Sequence, residues 1–591
     1  MSIGFLVRLK PRGSVIGLQD HRAAAPEYLW EQIGTNISVG TDSPGKLTLF
    51  PGDRGFLIGS LYHRHGPAEP VSTFPTDEMD KIWATRGQHL VESYWGCYVA
   101  VIIVGSSVFV LRDPSGALPC YFSASAGIAT LASEPRNLAK VGLLTSGIDC
   151  VRLGRALLLG GLPEQRTALS DVQELLPGMC LTIEGALLST SSRWDPWHFA
   201  ANDAGRSFDE HAERLRRAIE ACVGGWSKQF DKPLLSISGG LDSSIVGACM
   251  KKFRREFACI TMTTDDPMGD ESTYSRQLSE HIGKNLFDER FLLDDVSLDR
   301  SSVSHMPKPF GRLDANAFDA AVARIAKQEG ADAIFTGNGG DNVFFMSRSA
   351  RPLADRYLKE GVSPGIFATA RDIHRLTGAG IFHVFAQGFR AWRNSTRSYE
   401  WRTEATLLSR DIIAAAKEGG VHHPWLCPSD KGGLPGKAAH IAMLVRMHYS
   451  LSAYSKRDGI PVIHPLASQP ILECCLQIPT WQQCNGGIDR SVARNAFSAM
   501  LPPTLIARRV KGSPHGFSFQ IFARYREEIR ERLLDGYLAN NGILERRDVE
   551  RMFLPNRKIN VGEITRLLML VDAEAWTRHW QSNLVSSAPA S

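Results

Sequence analysis

The stretch Leu235 to Met250, LSISGGLDSSIVGACM, passes from an apolar run into Ser-Gly-Gly, then Leu-Asp-Ser-Ser, then a second apolar run. Gly239 and Gly240 let backbone amides approach an anion closely, Ser238, Ser243 and Ser244 offer hydroxyls, and the helix that follows the loop adds the free N–H groups of its first turn. That is the equipment of a phosphate-binding loop. Asp242 does not suit an anion site unless a cation bridges it to the phosphates, and magnesium, typically held by one or two carboxylates plus a nucleotide, is the natural candidate. A second loop, Thr336 to Asn342, TGNGGDN, repeats the pattern with Gly337, Gly339, Gly340 and Asp341. Read alone, Asp341 is an ordinary helix cap, but if both loops end strands of one parallel sheet it supplies the second carboxylate for the metal. A basic element, ARRVKGSPHGF, carries Arg508, Arg509 and Lys511; by itself it reads as a solvated helix end.

The elements around these loops follow from periodicity. Up to about Pro196, short alternating runs such as GFLVRL, GFLIGSLY, CYVAVIIVG, SVFVLRD and MCLTIEGALLS predict a sheet-dominated domain with few long helices. The polar stretch from Arg193 to Glu210 reads as a linker. Beyond it, strand Leu234 to Ile237, helix Ser244 to Lys252, strand FACITMTT, helix ESTYSRQLSEHIG, strand LFDERFLL, helix ANAFDAAVARIAKQEG and strand ADAIFTG alternate as in a parallel, doubly wound sheet. From about Asp355 onward the pattern is mainly helical. The two expected domains are residues 1–200 and 207–591.

Bulk properties narrow the class. A chain of 591 residues with 43% hydrophobic and 22% charged residues is an ordinary soluble composition, too long for one core. A net charge of +5 without a dense basic block argues against nucleic acid as the main partner. The amino terminus lacks the pattern of a signal peptide, and no segment approaches the roughly 18 apolar residues of a membrane span, so a cytoplasmic protein without membrane insertion is expected. The 11 cysteines are scattered without metal spacing, as for reduced thiols. His422, His423 and Cys427 read as a packed loop more readily than as metal ligands, and Trp392, Tyr399 and Trp401 as a helix face against the sheet.

Together these residues resemble the asparagine synthetase family, in which a glutaminase-like domain of the N-terminal nucleophile type precedes an ATP-pyrophosphatase domain; SGGLDSS is similar to that domain's pyrophosphate loop, with no Gly-Lys-Ser/Thr of a Walker loop. In the first domain VLRDPSGALPCYF, ASEPRNL and VQELLPGMCLTI are similar to family segments. The family's glutaminases need cysteine directly after the initiator Met, where this chain has Ser2, and their glutamine-gripping segment is replaced by IGSLYHR, Ile58 to Arg64. The resemblance therefore implies a glutaminase-like domain that has lost ammonia production.

Among members of that kind, the lasso peptide cyclases are the branch that SYWGCYVAVIIV, HPLASQPILECCLQIPTW and GGIDRSVARNAF resemble, with β-lactam synthetases as relatives. The resemblance implies a ligase that uses ATP and magnesium to adenylate an Asp or Glu side chain of a ribosomal precursor peptide. The peptide's N-terminal amine then closes a macrolactam, and AMP and pyrophosphate leave. It implies roles for Lys511 and Asp341 in catalysis, and a leader peptidase and a leader-recognition protein as partners. Asn338 stands where relatives have a tyrosine or a glutamate, so no general base carries over.

Overall fold

The computed structural model describes residues 3–10, 25–66, 68–125, 127–144, 146–202, 205–254, 256–264, 266, 270–395, 399–427, 433–453, 459–509, 512 and 515–586. Ser2 and Lys511 lie outside the described residues.

The first part of the chain forms two six-stranded antiparallel sheets. One runs in the order Gln173–Glu174, Tyr121–Ser125, Ile128–Ala132, Phe5–Leu9, Ile37–Thr41, Leu29–Ile33; the other Leu187–Ser192, Met179–Glu184, Ser107–Arg112, Tyr94–Val104, Gly55–His63, Leu47–Leu49. Alternation along Phe5–Leu9 shows how they stack. Phe5, Val7 and Leu9 share a buried cluster with Phe56, Ile58 and Val99 of the other sheet, while Leu6 turns to a cluster with Leu153, Leu567 and Trp576. The strands Leu29–Ile33, Ile37–Thr41 and Tyr121–Ser125 are additional to the expected ones.

The second part carries a five-stranded parallel sheet in the order Leu286–Arg290, Ala258–Thr263, Pro233–Ser236, Ala333–Thr336, Val462–Ile463. Both faces are covered. Leu235, Cys259 and Phe335 join the cluster containing Ile245 and Val246 of helix Leu241–Phe253, whereas Leu234, Ile260 and Ile334 pack on Val322 and Ile325 of helix Ala315–Glu329. Two strands run outward on one side of Pro233–Ser236, Ala258–Thr263 and then Leu286–Arg290, before the chain crosses to Ala333–Thr336 on the other. The order therefore reverses between those two strands, which is where an open α/β sheet forms a crevice beyond its carboxyl edge. The two-residue fifth strand lies in a region that reads as helical.

The linker expectation is corrected. Within Arg193 to Glu210, Asp195 caps a helix, Pro196–Ala201, and Trp194 and Trp197 are buried. Trp194 Nε1 donates to Glu473 Oε1 at 2.9 Å and Trp197 Nε1 to the Trp425 carbonyl at 2.9 Å, so two indoles lock this segment onto the second part of the chain. Ser207 and Glu210 then form a capping box for helix Phe208–Ser227. The two parts are also joined by an ion pair between Arg64 and Glu473, and by Arg566 Nη1 donating to the Leu157 carbonyl at 3.1 Å.

The expected aromatic helix face is also corrected. Trp401 lies outside the helices, donating to the Leu159 carbonyl at 2.7 Å beneath the Arg446 guanidinium, and Trp392 contacts Tyr357 and Phe389. His423 and Trp425 are buried in a packed loop, with the Trp425 N–H donating to His423 Nδ1 at 3.1 Å. Among the described residues no disulfide joins any of the eleven cysteines, and no helix is long and apolar enough to cross a membrane.

Candidate active site at the switch of the parallel sheet

Both glycine-rich loops follow the two strands at which the sheet order reverses. Strand Pro233–Ser236 leads through Ser238 to Gly240, the N-cap of helix Leu241–Phe253; strand Ala333–Thr336 leads through Gly337 and Asn338 to Gly339, the N-cap of the short helix Gly340–Val343. Leu241 to Ser244 are thus the first turn of a helix rather than a loop. The two loops touch. A Cβ on Gly337 would come within 2.7 Å of Ser243 Cα, and the residues on either side are held at a spacing that glycine alone allows.

A cavity of about 580 Å³ opens above this contact, lined by Ser236, Ser238, Gly240, Leu241, Asp242, Ser243, Thr336, Gly337 and Asn338 from the two loops. Phe318, Met346, Arg348, Asp489, Arg490, Arg508 and Arg509 complete it. Its size is that of a small-molecule or nucleotide pocket. Ser243 Oγ accepts from the Ser238 N–H at 3.3 Å, which closes the turn. Ser244 departs from the expectation of a phosphate donor: it is fully buried and its hydroxyl donates to the Gly240 carbonyl at 2.8 Å, bracing the helix start. Gly239 offers its carbonyl to Arg508 Nη1 at 2.8 Å. Gly339, Gly340 and Asp341 do not line the cavity; they stand behind it.

The carboxylates converge. Arg490 Nη1 lies 3.3 and 3.2 Å from the two oxygens of Asp242 and also hydrogen-bonds Asp341 Oδ1, so one cationic nitrogen is shared by the two aspartates. Arg490 Nε donates to Asp489 Oδ1 at 2.8 Å, which also accepts from Arg494 Nη2 at 2.9 Å. Burial works against the charge of Arg490, and Asp242, Asp341 and Asp489 outweigh it, holding the guanidinium above its usual pKa. Burial likewise opposes ionisation of Asp489, and Arg490 and Arg494 overcome it, keeping that carboxyl below its ordinary range. Two carboxylates converging within reach of one cationic atom are a fitting donor set for magnesium.

Arg508 acts on the loop itself. Its guanidinium pairs with Glu271, stacks 4.1 Å from the Tyr274 ring and binds the Gly239 carbonyl, while the Gly512 N–H donates to Glu271 Oε1 at 2.8 Å. Arg509 lines the cavity. Arg490, Asp489, Arg494 and Arg348 were not singled out by type and spacing. The available signal was Asp489 five residues before Arg494, a charge pair bracketing a helix start inside GGIDRSVARNAF.

A second cavity of about 840 Å³ adjoins the first and shares Arg348. Arg351 and Arg390 line it together with His383, Glu400 and Tyr399, and the Arg351 guanidinium lies 5.5 Å from the Tyr399 ring. Phe382 and Phe389 of helix Ile381–Arg393, 87% and 59% exposed, belong to the same helical region.

Comparison with known proteins follows the two-part organisation. A family model described as asparagine synthase matches residues 214–582, and one described as a glutamine amidotransferase domain matches residues 73–194. A carboxyethyl-arginine beta-lactam-synthase of Streptomyces clavuligerus is 24% identical over 232 residues, covering 38% of this chain and 42% of that enzyme, so the match spans less than half of its length. A glutamine phosphoribosylpyrophosphate amidotransferase from B. subtilis, solved with ADP and GMP, matches at 10% identity over 56% of this chain and 84% of its own, with a TM-score of 0.19. An allosteric regulatory enzyme of purine biosynthesis matches at 11% identity over 56% of this chain and 83% of its own, with a TM-score of 0.20. Superpositions that loose do not bear on the fold.

Proposed function

The chain belongs to the asparagine synthase family, and from that premise we propose that it is an ATP-dependent, amide-forming ligase that releases AMP and pyrophosphate, working on a ribosomal precursor peptide to close a macrolactam. The single observation that carries the reading is the convergence of Asp242 and Asp341 at one cationic atom of Arg490, a residue that lines, with Asp242, a nucleotide-sized cavity at the sheet's switch point.

In this reading ATP is a substrate. The amides and hydroxyls of Ser238 to Ser243 hold its phosphates, and the positive end of helix Leu241–Phe253 favours the charge that pyrophosphate gains as it leaves. Magnesium, held by Asp242 and Asp341, would neutralise the phosphates when bound. Arg508 keeps the loop in shape through the Gly239 carbonyl, and Lys511 stabilises the charge that develops when the amine attacks. Thr336 Oγ1 hydrogen-bonds His464 Nδ1 at 2.7 Å, tying the cavity floor to the segment after the fifth strand. The peptide's Asp or Glu side chain enters from the second cavity past Arg348, whose guanidinium suits a carboxylate. Enclosure between the cavities brings amine and activated carboxyl together and excludes water.

Loss of glutaminase function is part of the proposal. Tyr62 of IGSLYHR stacks 4.3 Å from Trp95 and donates to the Gly225 carbonyl at 2.9 Å, which supports a packing role for the segment in place of a glutamine grip. The partners are the peptide, a leader peptidase and a leader-recognition protein, with no nucleic acid. The beta-lactam-synthase relative favours a second reading, a ligase for a small amino-acid derivative. Mass spectrometry decides: the peptide loses one water with ATP, and glutamine yields no glutamate. An unchanged peptide together with cyclisation of a small substrate selects the second reading.

A further inference from the structure

Arg490 has an unusual backbone for a residue of the site. It lies at φ 51°, ψ 33°, the left-handed region that non-glycine residues rarely adopt, as the N-cap of helix Ser491–Ala496. Asp489, clamped by Arg494, anchors its Nε, and the left-handed turn directs Nη1 between Asp242 and Asp341. Arg490 and Asp242 are each 8% exposed, so this is a buried ion cluster in which removal of the cation would leave two like charges facing one another.

We propose that Arg490 is the resident cation of the two-aspartate position while the site holds no nucleotide, and that a divalent cation enters by displacing it in company with the polyphosphate. Resting on the magnesium–nucleotide reading of the cavity, the inference adds an order of binding. A divalent ion arriving alone must move a guanidinium away from one buried carboxylate, Asp242, and one partly buried, Asp341, and leave it with Asp489, whereas the anionic triphosphate brings the charge that compensates it. Arg490 is thus a positioning residue that keeps the bare metal out and the aspartates aligned.

Full-length protein is titrated with Mn²⁺, with free ion followed by electron paramagnetic resonance, in the presence and absence of a non-hydrolysable ATP analogue. The parental protein binds Mn²⁺ tightly only with the analogue. Arg490→Gln, with the positive charge gone, binds Mn²⁺ alone on the order of tenfold to hundredfold more tightly than the parent, the usual span of coupling between ligands that share a site. Adding Asp341→Asn removes that gain, and Arg490→Lys stays near the parental value. Tight Mn²⁺ binding by the parental protein alone, or equal nucleotide-free affinities in the parent and Arg490→Gln, overturns the displacement while leaving the nucleotide site standing. Absence of Mn²⁺ binding to the parent even with the analogue overturns the site reading and the inference with it. The parental titration needs no variant, so misfolding of Arg490→Gln does not shelter the proposal.

Discussion

A Cβ on Gly340 would come within 2.8 Å of Asp242 Oδ1, so the second glycine-rich loop supports the carboxylate of the first by direct contact. Gly340 is helical with a negative φ, and alanine there is a purely steric perturbation. Gly340→Ala is expected to remain folded, at a cost of about 1–3 kcal/mol for overpacking, and to lose roughly 100-fold in pyrophosphate exchange because the carboxylate is misplaced. Gly45→Ala, where a Cβ meets nothing within 4 Å, is the control and should match the parent in both thermal unfolding and exchange.

Asp242→Asn and Asp341→Asn should each lower ATP–pyrophosphate exchange by on the order of 100-fold, since a misplaced triphosphate loses in-line geometry as well as affinity. Lys511→Ala should spare exchange and cut ring closure by roughly 100-fold to 1000-fold, the loss typical of one preorganised charge-stabilising donor. Exchange and ring closure, measured side by side, separate the two steps. A Lys511→Ala enzyme that cyclises at the parental rate removes that residue from the mechanism.

The two parts of the chain should unfold together. Glu473, 4% exposed, accepts from Trp194 Nε1 and Gln469 Nε2 at 2.9 Å each and pairs with Arg64. Glu473→Ala strands a largely buried arginine and an indole N–H, and should destabilise by about 3–5 kcal/mol. Calorimetry of the parent should give one transition; a second transition appearing in the parent would contradict the shared core.

Much of this arrangement is legible in the sequence because alternation and loop chemistry are local. The β/α alternation from Leu234 to Thr336 follows from short apolar runs closed by glycine; strands Pro233–Ser236 and Ala258–Thr263 match the expected ones within one residue, while Leu286–Arg290 and Ala333–Thr336 are shorter than expected at one end or both. What escaped depends on distant partners. Trp194 and Trp197 sit in a polar stretch whose burial is decided by Glu473 and Trp425, more than 200 residues away. Val462–Ile463 is a strand only because Phe335 and Ile334 present an open edge to it. Arg490 looks like any helix-end charge until the fold brings Asp242 and Asp341 to it, and Ser244 looks like a ligand until the helix is seen to start at Leu241.

Acid should destabilise the protein partly through buried neutral histidines. Burial pushes His448 from 6.5, its value in an unfolded chain, down to about 3, and His423 and His440 likewise to about 3. A depressed folded pKa means that the unfolded chain binds more protons between pH 3 and 6.5, so this stability is complete above pH 6.5 and is lost as pH falls toward 3. Asp113, raised by burial to about 6, contributes with the opposite sign in an overlapping window, and a difference between variants cancels it. The thermal midpoint of His448→Gln should therefore fall less steeply from pH 6.5 to 4 than that of the parent; equal slopes would show that His448 is not held neutral.

The central claim is that this cavity cleaves ATP between the α and β phosphates to activate a carboxylate. The most direct measurement supplies a peptide whose acceptor carboxyl is labelled with ¹⁸O and analyses the nucleotide product by mass spectrometry. AMP should carry one ¹⁸O, with pyrophosphate formed in equal amount to cyclised peptide. ADP as the stoichiometric product, with the label in inorganic phosphate, would contradict it.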